Sequence, residues 1–278
     1  MEDDLTPLRL SPLWQAVWKL DWADEQFVAA HNLMQNYLDE NKCGVREDFD
    51  EEGHRFTLYA KTLPKFLPSL IGSGIHALRS SLDTAVTTLV QGITGSVSGR
   101  VNFPFHETEQ YLLADFKPQS SKCGKCGTER ISKPRNREIV EHLPELQTLL
   151  FDTFKPWKIG NPALWSLNKL DNIQKHRTLL LVFGETSVNL DYYAPSEGIM
   201  SKANLWIIRP NEEIVIASSR EQIIVTSGPN VSFELIFPEG MPFRKEPVFE
   251  VVGQLYKLTR GILKTLHARF EGHPALSG

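Results

Sequence analysis

This chain is short of almost every feature that announces a chemistry. It has three cysteines in 278 residues. An odd count without an apolar leader makes no disulfide framework and fits a reducing compartment. The opening MEDDLTPLRL is acidic and lacks an apolar h-region, so no secretory leader is expected. No run approaches about 18 uninterrupted apolar residues, which argues against a membrane span. Neither sign of charge dominates: 30 Lys and Arg against 34 Asp and Glu leave a formal net charge of −4. That balance excludes a general basic surface for nucleic acid. Phosphate loops, dinucleotide fingerprints, nucleophile elbows and HExxH helices are missing. So is any repeat of fixed period. What remains is ordinary globular composition, 41% hydrophobic and 23% charged. The expectation is a soluble cytoplasmic chain, long enough for one large domain or two small ones.

Charge is nonetheless uneven along the chain. Asp39–Glu52, DENKCGVREDFDEE, is strongly acidic and reads as a solvated turn or loop. Lys117–Arg137 carries Lys117, Lys122, Lys125, Arg130, Lys133, Arg135 and Arg137 against Glu129. Such a run is either a solvated loop or an anion or nucleic-acid contact.

Hydrophobic periodicity supplies the elements. Ser11 as cap and Pro12 at the first position open a long amphipathic helix, with Leu13, Val17, Leu20, Asp24, Phe27 and His31 at spacings of three and four. Gly44 offers its left-handed stop. HRFTLYAKTL alternates and reads as a strand. Ile71, Ile75, Leu78, Leu82, Val86 and Leu89 form one apolar stripe on a second helix. A third helix spans Asn136–Phe154, broken or kinked at Pro144. Asn161-Pro162 starts a fourth.

Beyond Gly184 the period changes to two. SVNLDYY, KANLWIIRP, EEIVIAS, EQIIVTS and NVSFELIFPEG read as strands with short connections, which favours an antiparallel meander. A final helix carries Val251, Leu255, Leu258, Ile262, Leu263 and Leu266 on one face. The expected fold is α+β. Helices near 12–43, 69–91, 137–154 and 162–183 form a bundle, a sheet follows at about 187–238, and a helix at 247–270 closes it. The corresponding parts are 1–184, with the early strand and the basic loop at 117–137, and 185–278, packed together as one unit.

Two helices concentrate polar residues. Asn168, Asn172 and His176 fall at i, i+4 and i+8, a stripe that also holds Trp165 and Leu179. A solvated face would not normally carry a tryptophan and a leucine, so the stripe is expected to be interior or to line a cleft. Buried amides and imidazoles need partners, because an unpaired one costs roughly 1–3 kcal/mol. The second helix offers His76, Arg79 and Asp83 at i, i+3 and i+7. Facing stripes would let Arg79 meet Asp171, and Asp83 meet His176 or Lys175. A carboxylate beside an imidazole is raw material for acid–base chemistry and equally for a structural network.

LIGSGIHALRSSLDTAV, LWSLNKLDNIQKHR and GQLYKLTRGILKTL together resemble a widespread group of bacterial proteins of uncharacterised function. NFPF at Asn102–Phe105 and NVSFELIF at Asn230–Phe237 fit the same group. The resemblance spans most of the chain and implies no particular function. The first functional expectation is a non-enzymatic binding or interaction protein of that group with a polar centre at Arg79, Asp83, Asn172 and His176. The arginine helix is also similar to that of HEPN-like helical domains. There an Arg and a His, with four to six residues between them, form an RNA-cleaving site, usually across a homodimer. That likeness implies a metal-independent ribonuclease in phage defence or a toxin system, with Arg79 and His176 as its catalytic pair. Thr84 stands where the motif's His would be, and Trp22 and Gln26 where the group would carry Arg and His.

KCGKCG at Lys122–Gly127 is half of a zinc knuckle, with Cys123 and Cys126 able to grip one Zn²⁺. Completion would need Cys43, His106, His142 or a second chain. Other readings are a redox pair or two thiols in a flexible loop. His31, His54, His267 and His273 read as ordinary surface or helix residues. Trp14, Trp18 and Trp22, at i, i+4 and i+8, read as a core stripe.

Overall fold

Side-chain oxygens and left-handed residues place the helix ends. The computed structural model describes residues 5–96, 101–122, 129–132, 134, 136–176, 181–183, 185–194, 198–209 and 211–273. A single turn, α1 (Thr6–Arg9), leads to Ser11, whose Oγ accepts from the Leu13 N–H at 3.1 Å and donates to the Leu8 carbonyl at 2.7 Å. α2 (Trp14–Asp39) then runs 26 residues. Asn41, at φ 54°, stops it. The Lys42 N–H reaches the Tyr37 carbonyl and the Asn41 N–H the Leu38 carbonyl, closing the last turn. The expected stop, Gly44, lies instead in strand β1 (Cys43–Asp50). Asparagine tolerates the left-handed region well enough to act first.

The acidic stretch is therefore not a loop. β1 pairs antiparallel with β2 (Gly53–Ala60), and Asp50 stands opposite Gly53 across the turn. Arg46 bonds Asp48 and Glu213, and Arg55 bonds Asp50 and Glu52, so the charges pair along and across strands. β1 is an edge strand, where exposed charge discourages pairing with another chain. Gly53 sits at φ 127°, and a Cβ there would come within 2.3 Å of the Ser219 carbonyl oxygen. No other residue fits this turn.

α3 (Leu67–Thr94) follows, and its expected stripe from Ile71 to Leu89 is wholly buried. α4 (Glu109–Asp115) is capped by Thr108. Part of the basic segment forms a hairpin, β3 (Gln119–Lys122) with β4 (Glu129–Ser132). The third helix breaks as Pro144 predicts, into α5 (Arg137–His142) and α6 (Pro144–Thr148), with Leu143 out of helical conformation between them. A π-helical turn, Leu149–Phe154, ends at Lys155, which has φ 51°. In α7 (Pro162–His176) the Asn161 Oδ1 accepts from the Leu164 N–H at 3.0 Å, the expected cap. The helix does not reach 183: Val182–Phe183 form β5.

The C-terminal strands are β6 (Glu185–Ala194), β7 (Gly198–Ile207), β8 (Glu212–Ser219), β9 (Ile224–Ser232) and β10 (Leu235–Ile236). Every ladder between described strands is antiparallel. Their order, however, is not a simple meander. β7 and β9 both flank β6, while β8 leaves to join β2, giving β1-β2-β8. β2 is buried on both faces as a central strand, so consecutive residues Phe56, Thr57 and Leu58 are all enclosed. α8 (Val248–Phe270) ends the described chain with Val251, Leu255, Ile262, Leu263 and Leu266 buried. The fold is α+β.

The chain divides into two compact units: Met1–Gln26, Gly72–Arg177 and Gly253–Gly278, then Phe27–Ile71 and Thr178–Val252. The expected changeover near 184 is thus replaced by interleaving segments. The boundaries fall inside α2, α3 and α8, each long enough to supply residues to both cores. The first unit is helical, built on Leu13, Leu20, Ile75, Leu82, Leu167 and Leu263. The second carries the two three-stranded sheets. Among the described residues no helix is long and apolar enough to cross a membrane.

Candidate functional site

The polar residues of α3 and α7 come together, with partners that differ from the expected ones. Both helices lie in the helical unit. Asp171 is almost fully enclosed, at 1% side-chain exposure. Its Oδ1 is 2.8 Å from His76 Nδ1, and its Oδ2 is 2.6 Å from Lys175 Nζ. Arg79 does not pair with Asp171. Its Nε donates to Asn168 Oδ1 at 3.2 Å and a terminal nitrogen donates to the Phe103 carbonyl at 3.3 Å. Asp83, one turn further along α3, forms an ion pair with the guanidinium. The Phe105 ring lies 4.2 Å from its central carbon, a cation–π contact.

Asp83 pairs with neither His176 nor Lys175. Besides Arg79 it accepts from the Phe103 N–H at 2.9 Å. The NFPF segment therefore satisfies both members of the Arg79–Asp83 pair through its backbone. Main-chain partners have no side-chain signature, which is why spacing alone paired the wrong groups. Gly72 lets the Gln174 amide lie directly against α3, where a Cβ would approach it to 2.2 Å.

Burial splits this centre in two. Arg79 is 12% exposed and locked by carboxylate, amide, carbonyl and ring. His76 is 53% exposed. Asp171 holds its Nδ1, which leaves Nε2 as the accessible ring nitrogen. Asn172, Lys175 and His176 are exposed on the same stretch of α7. The stripe, expected to be interior or to line a cleft, is partly enclosed at one end only: Asn168 is half-buried, while Asn172 and His176 face solvent. Its tryptophan, Trp165, is half-buried, with Lys158 and Lys169 each 5.2 Å from its ring. Leu179 lies outside the described residues, as do Cys123 and Cys126. Among the described residues no group of three or more His, Cys, Asp or Glu is placed to hold a metal ion.

Two other groups escaped the sequence reading. His54 is not a surface residue. It is buried in β2, its Nδ1 accepts from the Ile223 N–H at 2.8 Å, and its Nε2 lies 2.8 Å from Glu47 Oε1. That pairing is the neutral tautomer with the proton on Nε2, a structural joint between distant segments. Cys43 is buried too, and burial pushes its thiol up to about 12. Burial likewise raises the Tyr37 hydroxyl, which donates to the Lys61 carbonyl at 2.6 Å.

The Trp14–Trp18–Trp22 stripe is the largest departure. These rings are 39%, 65% and 53% exposed rather than buried. The inward face of α2 is instead Ala16, Val17, Leu20, Ala23, Phe27 and Ala30, continued by Leu13 just before it. The alanines allow close packing: Ser81 Oγ of α3 donates to the Ala16 carbonyl at 2.7 Å.

Comparison with known protein families, curated proteins and solved structures gives no match to this chain.

Proposed function

We propose that this chain is a cytoplasmic, non-enzymatic binding protein whose recognition face is the open half of the polar centre: His76, Asn172, Lys175 and His176 above the enclosed Asp171. The observation that carries this reading is one buried carboxylate holding two exposed donors. Asp171 orients His76 at 2.8 Å and Lys175 at 2.6 Å from a position at 1% exposure. A side chain held from behind loses little freedom on binding, which favours recognition. An imidazole nitrogen, an ammonium and an amide on one face suit a polar or anionic group of a partner.

The closed half acts as scaffold. A ribonuclease pair needs its arginine free to reach a phosphate, and Arg79 is engaged on every side. His176 is not among its partners.

The test compares wild type with His76→Ala/Lys175→Ala in affinity capture from cell extract, with Asn172 variants as probes of the same face. A partner captured by wild type and lost in the double variant is the expected result. Identical capture by both overturns the reading. Labelled single-stranded RNA is expected to stay intact; cleavage abolished by Arg79→Ala would establish the nuclease instead.

A further inference from the structure

The second unit holds a cavity that shares no residue with the polar centre. Its volume is about 220 Å³. Its walls come from the C-terminal half of α2, from residues 233–235 at the start of β10, and from the chain entering the first turn of α8. Every lining residue belongs to that one unit. Aromatic rings shape it. The His31 and Phe249 rings meet edge to face at 85°, with centroids 5.2 Å apart, which sets two walls at a right angle. Phe233 adds a third ring, and the buried Met34 and Leu235 complete the apolar lining.

Charge at this cavity has one sign. Glu234 and Glu250 line it, and both are exposed. Among the described residues neither carboxylate has an ion-pair partner. The lining contains no lysine or arginine, and His31 is its one other titratable group. Gln35 donates its amide nitrogen to Asp39 at 3.1 Å, which leaves its carbonyl oxygen free to accept. The partial positive charge of the α8 N-terminus is answered by Glu250 in its own first turn.

These features select an occupant. Carboxylates beside aromatic faces attract a cation. A metal ion is poorly served, because no three His, Cys, Asp or Glu among the described residues are grouped to hold one. A primary ammonium is strongly hydrated and gains little from apolar walls. An alkylated ammonium instead presents methyl groups, which can rest on rings and on the Met34 thioether while its charge stays within reach of the carboxylates. Pockets for a whole drug-sized ligand run to roughly 300–1,000 Å³, so this smaller cavity suits a compact ion.

We infer that this cavity binds a small alkylated ammonium ion, with Phe233, Phe249 and His31 against its methyl groups and Glu234 and Glu250 balancing its charge.

The experiment is calorimetric titration of the full chain with choline and with its neutral tert-butyl analogue, which has the same shape and no charge. Choline is expected to bind with a dissociation constant near or below about 1 mM, and the neutral analogue at least about 10-fold more weakly. Glu234→Gln/Glu250→Gln changes two exposed side chains without altering their size, so folding is preserved, and should weaken choline about 10-fold. Phe249→Leu keeps an apolar side chain but removes the ring, and should weaken it by a similar factor. His76→Ala/Lys175→Ala, in the polar centre, should leave choline binding unchanged. Choline that fails to bind up to about 10 mM overturns the inference. So does equal affinity for the neutral analogue, which would mark a plain apolar pocket, or choline binding that the double glutamine variant leaves intact. A trimethyl-lysine peptide that binds at least about 10-fold tighter than choline would assign the cavity to a protein partner and overturn the small-molecule reading.

Discussion

His76 and Arg79 stand about one turn apart on α3 and live in different surroundings. Arg79 is covered by the NFPF segment, which brings it the Phe103 carbonyl and the Phe105 ring while the Phe103 N–H holds its partner Asp83. Among the described residues His76 has no such cover, and Asp171 holds it from below. The chemistry of the two residues is similar, a nitrogen base beside a carboxylate. Cover alone makes one a strut and the other a surface group. Burial of a charge is tolerable only with full pairing, and a segment that pairs also encloses.

Stability measurements can break this contrast. The largest effect is expected for Arg79→Ala, which strips partners from Asp83, Asn168 and the Phe103 carbonyl. About 3 kcal/mol should be lost in urea denaturation. Asp171→Ala should cost less, about 1–2 kcal/mol, because His76 and Lys175 can turn to water. Below that, His76→Ala should cost under about 1 kcal/mol, as Lys175 still neutralises Asp171. Asn172→Ala and His176→Ala should stay within about 0.5 kcal/mol. Should the last two rival Arg79→Ala, the division into closed and open halves is wrong.

A pH-dependent effect extends the contrast to a thiol. Cys43 ordinarily ionises near 9 but is held protonated by burial up to about 12. The unfolded chain releases that proton first, so stability is intact below about pH 9 and falls as pH rises towards 12. Cys43→Ala should flatten this alkaline decline in urea midpoints measured from pH 8 to 11. The native Cys43 thiol should also resist iodoacetamide at pH 8 in peptide mapping, and label once the chain is unfolded.

Much of the helical layout was legible because local chemistry decides it. Asn161-Pro162 begins a helix and Pro144 breaks one wherever they stand. The stripe from Ile71 to Leu89 has only one face to bury. Other features depended on distant segments. The acidic stretch from Asp39 looks like a loop until Glu213 arrives to pair with Arg46. The α2 core face was hidden because alanines mark it and tryptophans compete for attention. Size suggests burial, yet Ala16, Ala23 and Ala30 are enclosed while the indoles are not. At the centre, the polar residues of α3 and α7 do meet, but in other pairs than spacing drew, because backbone groups of Phe103 replaced side chains as partners.

The strand order has a consequence for the time course of synthesis. β2 receives its second neighbour, β8, from far along the chain: His54 and Ile223, joined by a hydrogen bond, are 169 residues apart. At roughly 5–20 residues per second, a ribosome takes on the order of 10–30 s to cover that distance. For that interval the hairpin is born with one side charged and the other bare, with Phe56 and Leu58 awaiting enclosure. The emerging chain therefore passes through a window in which this edge is open to chaperones or to neighbouring nascent chains, and the window closes when residues 212–223 leave the exit tunnel.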